Sequence, residues 1–182
     1  MASNRPPDPR RLDVAGFAAA SGEMAGEWDV AQLVRLTSAS YEAAPAPVRW
    51  EAHGERLTLP GAGKCPSLRI EADTAVMLQC QRCLQPMRWP LKARRRVFFV
   101  DGEDAAAALD ADNEDDVLAV APALDLQALV EDELLLALPL VPRHDVCPEP
   151  LPRAFVEDDG SVAQAASPFA ALAALKRGPA PN

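Results

Sequence analysis

The cysteines and histidines of this chain, its candidates for thiol chemistry and for nitrogen and sulfur ligation of a metal, are few: Cys65, Cys80, Cys83 and Cys147, with His53 and His144. Two of them lie in the turn Cys80-Gln81-Arg82-Cys83-Leu84-Gln85-Pro86, where two sulfurs can converge on one point. Such a turn serves either thiol redox chemistry or metal ligation, and its surroundings choose between them. A thioredoxin-type turn opens a helix, but no helical pattern follows Cys83. Leu68, Ile70 and Ala72 recur with a period of two. Val76, Leu78 and Cys80 continue that alternation after a bulge, and Met87, Trp89 and Leu91 repeat it beyond the turn. The turn therefore joins two strands, with Cys80 facing inward, and redox catalysis is disfavoured.

Metal ligation needs partners. Cys80, Cys83, His144 and Cys147 pair a Cys-x-x-Cys with a His-x-x-Cys, a set that zinc takes tetrahedrally. Cys65 is a substitute ligand, less well placed before Pro66. The spacing leaves a structural zinc and a set of ordinary thiols both open, and no cofactor is required. The uneven cysteine spacing and the absence of an apolar segment after the N-terminal charges read as reduced thiols in the cytoplasm. No apolar run approaches the roughly 20 residues that span a bilayer, so no membrane partner is expected.

The chain lacks a Walker loop, a Gly-rich dinucleotide turn, a Gly-x-Ser-x-Gly elbow and a His-Glu-x-x-His motif, which lowers every enzyme reading. A net charge of −9 opposes nonspecific coating of nucleic acid. That average hides an asymmetry. Arg82, Arg88, Lys92, Arg94, Arg95 and Arg96 form an all-positive run, and residues 101–116 carry only acidic charges. The pattern fits a solvated strand followed by a disordered acidic loop. A sharper alternative is a basic strip that meets phosphates, with the loop tuning or competing for it.

The elements that position these residues read as follows. Residues 1–24 form an Ala-rich helical extension, weakened by Gly16, and a short strand starts after Gly26. Alternation begins at Val48, turns or bulges at His53-Gly54, and resumes at Leu57. The core domain is 25–145, with the acidic loop at 101–116. A helix over residues 126–138 starts at the N-cap Asp125, with Leu126, Leu129, Val130, Leu134, Ala137 and Leu138 at helical spacing. Glu133 falls within that apolar face, where a carboxylate needs a partner, and Arg82 is the preferred one. Glu131 and Asp132 fall outside the face. Residues 146–166 read as a flexible linker, and 167–178 as a C-terminal helix capped by Ser167 and ended by Gly178. Phe169, Leu172, Leu175 and Lys176 form its contact side, for its own domain or for a partner.

Three segments together resemble the YceD family, the large ribosomal RNA subunit accumulation proteins of bacteria and plastids. They are the Cys80 to Pro86 turn, the stretch 126–144 followed by Cys147, and the terminal Ser167-Pro168-Phe169 segment. Cys80, Arg82, Cys83, Leu84 and Pro86 match the first motif, and Glu131, Asp132, Glu133, Pro139, Pro142 and His144 the second. The resemblance implies a role in 23S ribosomal RNA synthesis, processing or stability, and hence in large-subunit assembly.

The reading is a small α+β domain: an antiparallel sheet that could curl into a barrel-like form, covered by a helix, with a C-terminal tail helix. Its leading function is that of a non-catalytic assembly factor. Arg88, Lys92, Arg94, Arg95 and Arg96 are its candidates for contact with ribosomal RNA or a precursor large-subunit particle, and its tail helix would meet a ribosomal or ribosome-assembly protein. The alternative is a protein-interaction adaptor for a ribosomal protein or RNA-processing enzyme, without direct RNA contact. An RNA hydrolase ranks third, because the acids cluster in a loop rather than on a scaffold.

Overall fold

A computed structural model describes residues 7–42 and 46–148. The expected tail helix, with Phe169, Leu172, Leu175 and Lys176, and all but the first residues of the expected linker lie outside them. Five strands make one sheet in the order β1-β2-β3-β4-β5: β1 (Glu23–Trp28), β2 (Val48–Leu59), β3 (Gly63–Gln79), β4 (Pro86–Val100) and β5 (Asp116–Ala119). The first four pair antiparallel. Strand β5 lies parallel to β4, so the chain must cross over between them, and the crossover carries α3 (Glu103–Asp110). The fold is α+β, and the sheet is open, with β1 and β5 at its edges.

The long middle strands follow from an alternation that never slips. Pairing of β3 with β4 runs in register from Ser67↔Phe98 to Gln79↔Pro86, so the bulge expected before Val76 is absent. Thr74 disguised that continuity by putting a polar residue in the inward row. Its hydroxyl is satisfied there by donating to Ala46 O at 3.2 Å. The break expected at His53-Gly54 is also absent, because β2 passes straight through. Gly54 makes room for the Phe17 ring: a Cβ at position 54 would sit 2.5 Å from Phe17 Cδ1. Gly26 likewise lies inside β1 rather than before it. It faces Trp50, whose indole stacks on Trp28 at 4.4 Å.

One face of the sheet carries the main core. Helices α1 (Val14–Ala19), α2 (Val34–Ala39) and α4 (Leu126–Leu136) bury Val14, Phe17, Leu36, Leu126, Val130 and Leu134 against Leu68, Ile70, Leu91 and Val97. Each such side chain contributes about 1.5–3 kcal/mol by leaving water. The 1–24 segment thus supplies Leu12, Val14 and Phe17 to this core. Asp125 caps α4 as its sequence predicts, accepting from Ala128 N at 3.0 Å.

Among the described residues, the other face is covered only at one end. There α3 closes a small cluster of Leu59, Cys65, Phe98, Val100, Ala106 and Val117. This helix occupies part of the expected acidic loop. Four consecutive alanines inside the acidic run favour a helix, and Glu103 and Asp104 in its first turn suit the positive end of the helix dipole. The last residue of the helix has local work: Asp110 Oδ1 accepts from Val117 N at 2.9 Å, which anchors the entry to β5.

Candidate metal centre and basic strip

Strand β3 ends at Gln79 and β4 begins at Pro86, leaving a tight knuckle between them. Cys80 N donates to Gln85 O at 3.0 Å and Leu84 N to Cys80 O at 2.9 Å. Leu84 takes a left-handed conformation (φ 61°) to close the turn, and its side chain is left exposed. The strand alternation delivers Cys80 fully buried, as expected, and the turn brings Cys83 round beside it.

The second half of the site arrives from beyond α4. Pro139 and Pro142 prevent further helix, and the chain returns to lie along the knuckle, with Gln81 N donating to Pro142 O at 2.8 Å. His144 N then points at Cys80 Sγ (3.4 Å), and His144 Nδ1 lies 3.4 Å from Cys83 Sγ. Arg82 crosses between the halves. Its Nε donates to Cys147 Sγ at 3.1 Å, and its Nη2 to His144 O at 3.1 Å and Asp145 O at 3.5 Å.

The donor atoms of Cys80, Cys83, His144 and Cys147 all lie within 4.8 Å of one another. Zinc–sulfur bonds of about 2.3 Å in a tetrahedron place sulfurs roughly 3.8 Å apart, so the set fits a tetrahedral ion with a small contraction. The electrostatics also suit a cation. Burial would raise the Cys80 thiol, but the backbone N–H groups of Cys83, His144 and Arg82 outweigh it and lower the pKa to about 5. Burial pushes the Cys83 thiol up, helped by the neighbouring Cys147 and Cys80 sulfurs. Crowded thiols of this kind favour a shared positive ion. Cys65 is not a substitute ligand: it lies buried in the smaller cluster on the opposite face, with Sγ 3.7 Å from Gly63 O. All four cysteines are free thiols.

Glu133 sits beside Arg95, not Arg82. Its Oε2 is 3.4 Å from Arg95 Nε, which also lies 2.7 Å from Asp116 Oδ2. The expected partner is already engaged at the knuckle, and Arg95 reaches the helix from the inward row of β4. Burial raises the Glu133 carboxyl above its ordinary value despite the Arg95 charge.

Glu131, expected outside the apolar face, is buried, with 7% exposure, because α2 packs over it. Its Oε1 accepts from Arg35 N at 2.7 Å and Leu36 N at 3.0 Å, and its Oε2 from Arg35 Nε at 3.0 Å. Asp132 holds the same guanidinium through Nη1. The available signal was the start of α2 itself. Leu33 stands where a capping side chain belongs, so the cap had to come from another element.

The basic run divides between the two faces. Arg88, Lys92, Arg94 and Arg96 project from the open face, while Arg95 points the other way, at Asp116 and Glu133. Arg94 pairs with Glu71 at 2.8 Å, Arg49 with Asp73 at 3.3 Å and Arg96 with Asp115 at 3.8 Å. Between the Arg94–Glu71 and Arg49–Asp73 pairs lies a shallow groove of about 590 Å³, lined by residues of β2, β3 and β4 that include Lys92. Lys92 and Arg88 have no ion pair among the described residues.

A profile described as large ribosomal RNA subunit accumulation protein YceD matches residues 68–176, more than half of the chain. The chain belongs to the YceD family. The matched span begins inside β3 and contains the knuckle, the basic run, α4 and the His144–Cys147 return, so the whole ligand set lies within the family region. No solved structure matches the chain. Among the described residues, no helix is long and apolar enough to cross a membrane.

Proposed function

We propose that this protein is a non-catalytic factor in the accumulation of large-subunit ribosomal RNA, built around a structural zinc and acting in assembly of the large ribosomal subunit. The observation that carries the non-catalytic reading is the closed ligand set. Four protein donors from two distant segments converge, which matches a structural site rather than a catalytic one with an open position. Cys80, Cys83, His144 and Cys147 would hold the ion. When bound, it supplies a cross-link between the β3–β4 turn and the segment after α4.

Contact with ribosomal RNA or a precursor particle is assigned to Arg88, Lys92, Arg94 and Arg96. Such cations neutralise phosphates, and the binding weakens with salt as counterions are released. Replacing all four by Ala should reduce the salt dependence of RNA association, by about 0.9 in log–log slope for each duplex phosphate no longer neutralised. Full-length protein and ribosomal RNA fragments titrated at several salt concentrations would show this. RNA association unchanged in the quadruple variant sinks the assignment.

A second reading rests on the carboxylates that already pair with Arg49, Arg94 and Arg96. A face of alternating charge suits a protein partner better than bare phosphate, as an adaptor for a ribosomal protein or RNA-processing enzyme requires. Capture from cells before and after ribonuclease treatment separates the readings: an adaptor keeps its protein partner when RNA is removed.

A further inference from the structure

Arg82 is exposed and lies between the two cysteines of the knuckle, yet its guanidinium is committed to the other half of the site. We infer that Arg82 is the positioning residue of the metal centre: by bridging the knuckle to Cys147 and to the His144 and Asp145 carbonyls, it assembles the four ligands and sets how tightly the ion is held. The inference rests on the zinc-site reading given above and extends it to a residue outside the ligand set.

Two features of the geometry support this role. The first is reach. His144 and Cys147 follow a proline-broken segment more than sixty positions from the knuckle; the backbone of the return meets it at Gln81 N–Pro142 O and, over a longer 3.4 Å, at His144 N–Cys80 Sγ, and neither contact reaches Cys147. The planar fork of Arg82 ties Cys147 in, with Nε on its sulfur at 3.1 Å and Nη2 on the His144 carbonyl at 3.1 Å. Lysine has one donor point and cannot span sulfur and carbonyl together. The second is charge. Three thiolates exceed the charge of a divalent ion by one, and the Arg82 guanidinium neutralises the excess at the sulfur it touches. Outer partners of this kind orient ligands and tune the bound ion.

The test uses the full chain, zinc(II) and a competing chromophoric chelator, with cobalt(II) as a spectroscopic reporter. Arg82→Ala and Arg82→Lys are compared with wild type after circular dichroism confirms that each is folded. The side chain is exposed, so its removal leaves no cavity. Arg82→Ala should weaken zinc binding about tenfold to a hundredfold, and Arg82→Lys should fall between it and wild type. In the cobalt forms, the thiolate-to-metal charge-transfer band should shift in Arg82→Ala, because Cys147 no longer accepts an N–H. A purely structural role would leave that band in place. Arg143→Ala removes a neighbouring exposed cation and should bind zinc as wild type does. Equal zinc affinity in wild type and both Arg82 variants overturns the inference while leaving the zinc site standing. So does an equal weakening in Arg143→Ala, which would reduce the effect to general charge. Wild-type protein that takes up neither ion overturns the zinc site as well.

Discussion

At the scale of single residues, chemistry and environment part company. Cys80 is deeply buried, yet backbone N–H groups hold its thiol ready to ionise at about 5, whereas the half-buried Cys83 is pushed the other way. Glu133 shows the same tension. Its carboxyl is raised by burial more than Arg95 lowers it, so folding favours its neutral form. A raised carboxyl contributes stability that is present below its unfolded pKa and is lost as pH rises through the folded value. Glu133→Gln, neutral at every pH, should therefore raise the urea midpoint near neutral pH. The gain should vanish when the measurement is repeated at a pH below the ordinary carboxylate range. A midpoint difference independent of pH would contradict this. Asp116 remains to pair with Arg95 in that variant.

At the scale of elements, α2 and α4 depend on one another through a carboxylate. Leu33 gives α2 no capping side chain, and Glu131 of α4 accepts its first N–H groups instead. Glu131→Ala should cost about 2–3 kcal/mol in chemical denaturation, since buried donors are left without a charged acceptor. Glu131→Gln keeps one acceptor oxygen and should cost less. Equal costs would mean that the charge on Arg35, not the cap, carries the interaction. This dependence also accounts for the position of Glu131. A residue read from one helix's periodicity as solvent-facing is buried by a second helix about a hundred residues earlier in the chain.

At the scale of the whole molecule, the main core and the metal centre stabilise different things. Cys80 belongs to the edge of the main core, with Cys83 and Cys147 packed against it, but most of that core, including Leu12, Phe17, Leu68, Ile70, Leu91, Val130 and Leu134, comes from outside the ligand set, so removing a metal should leave a folded domain. The return segment 139–147 is held to the sheet chiefly through the knuckle. Ion binding at a thousandfold over Kd stabilises by about 4 kcal/mol. Chelation, or Cys83→Ser, should accordingly lower Tm by about 10 °C without loss of cooperativity. Amide exchange should accelerate at Gln81 and Leu84 more than in β3 or α4. Uniform acceleration across the sheet would show that the centre supports the core itself. The open face adds the remaining whole-molecule property. Its cations lie among carboxylates, so the four-residue strip, rather than the contiguous run Arg94-Arg95-Arg96, is the unit whose removal tests phosphate binding.

The sequence by itself determined the two-strand setting of Cys80 and Cys83, the capped helix from Asp125, the α+β class and the family. Each of these is written in local periodicity or in short contiguous motifs. The convergence of His144 and Cys147 on the knuckle was legible only as one option among others, because spacing along a chain does not fix distance across more than sixty residues. Tertiary structure alone decided the remainder. It turned Arg95 away from the other cations, because neighbouring strand residues point to opposite faces. It gave Glu133 to Arg95 and Arg82 to Cys147, because which groups meet is set by the elements packed between them. It left Cys65 on the far side of the sheet, where odd-numbered side chains of β3 cannot reach a site at the end of the even-numbered row.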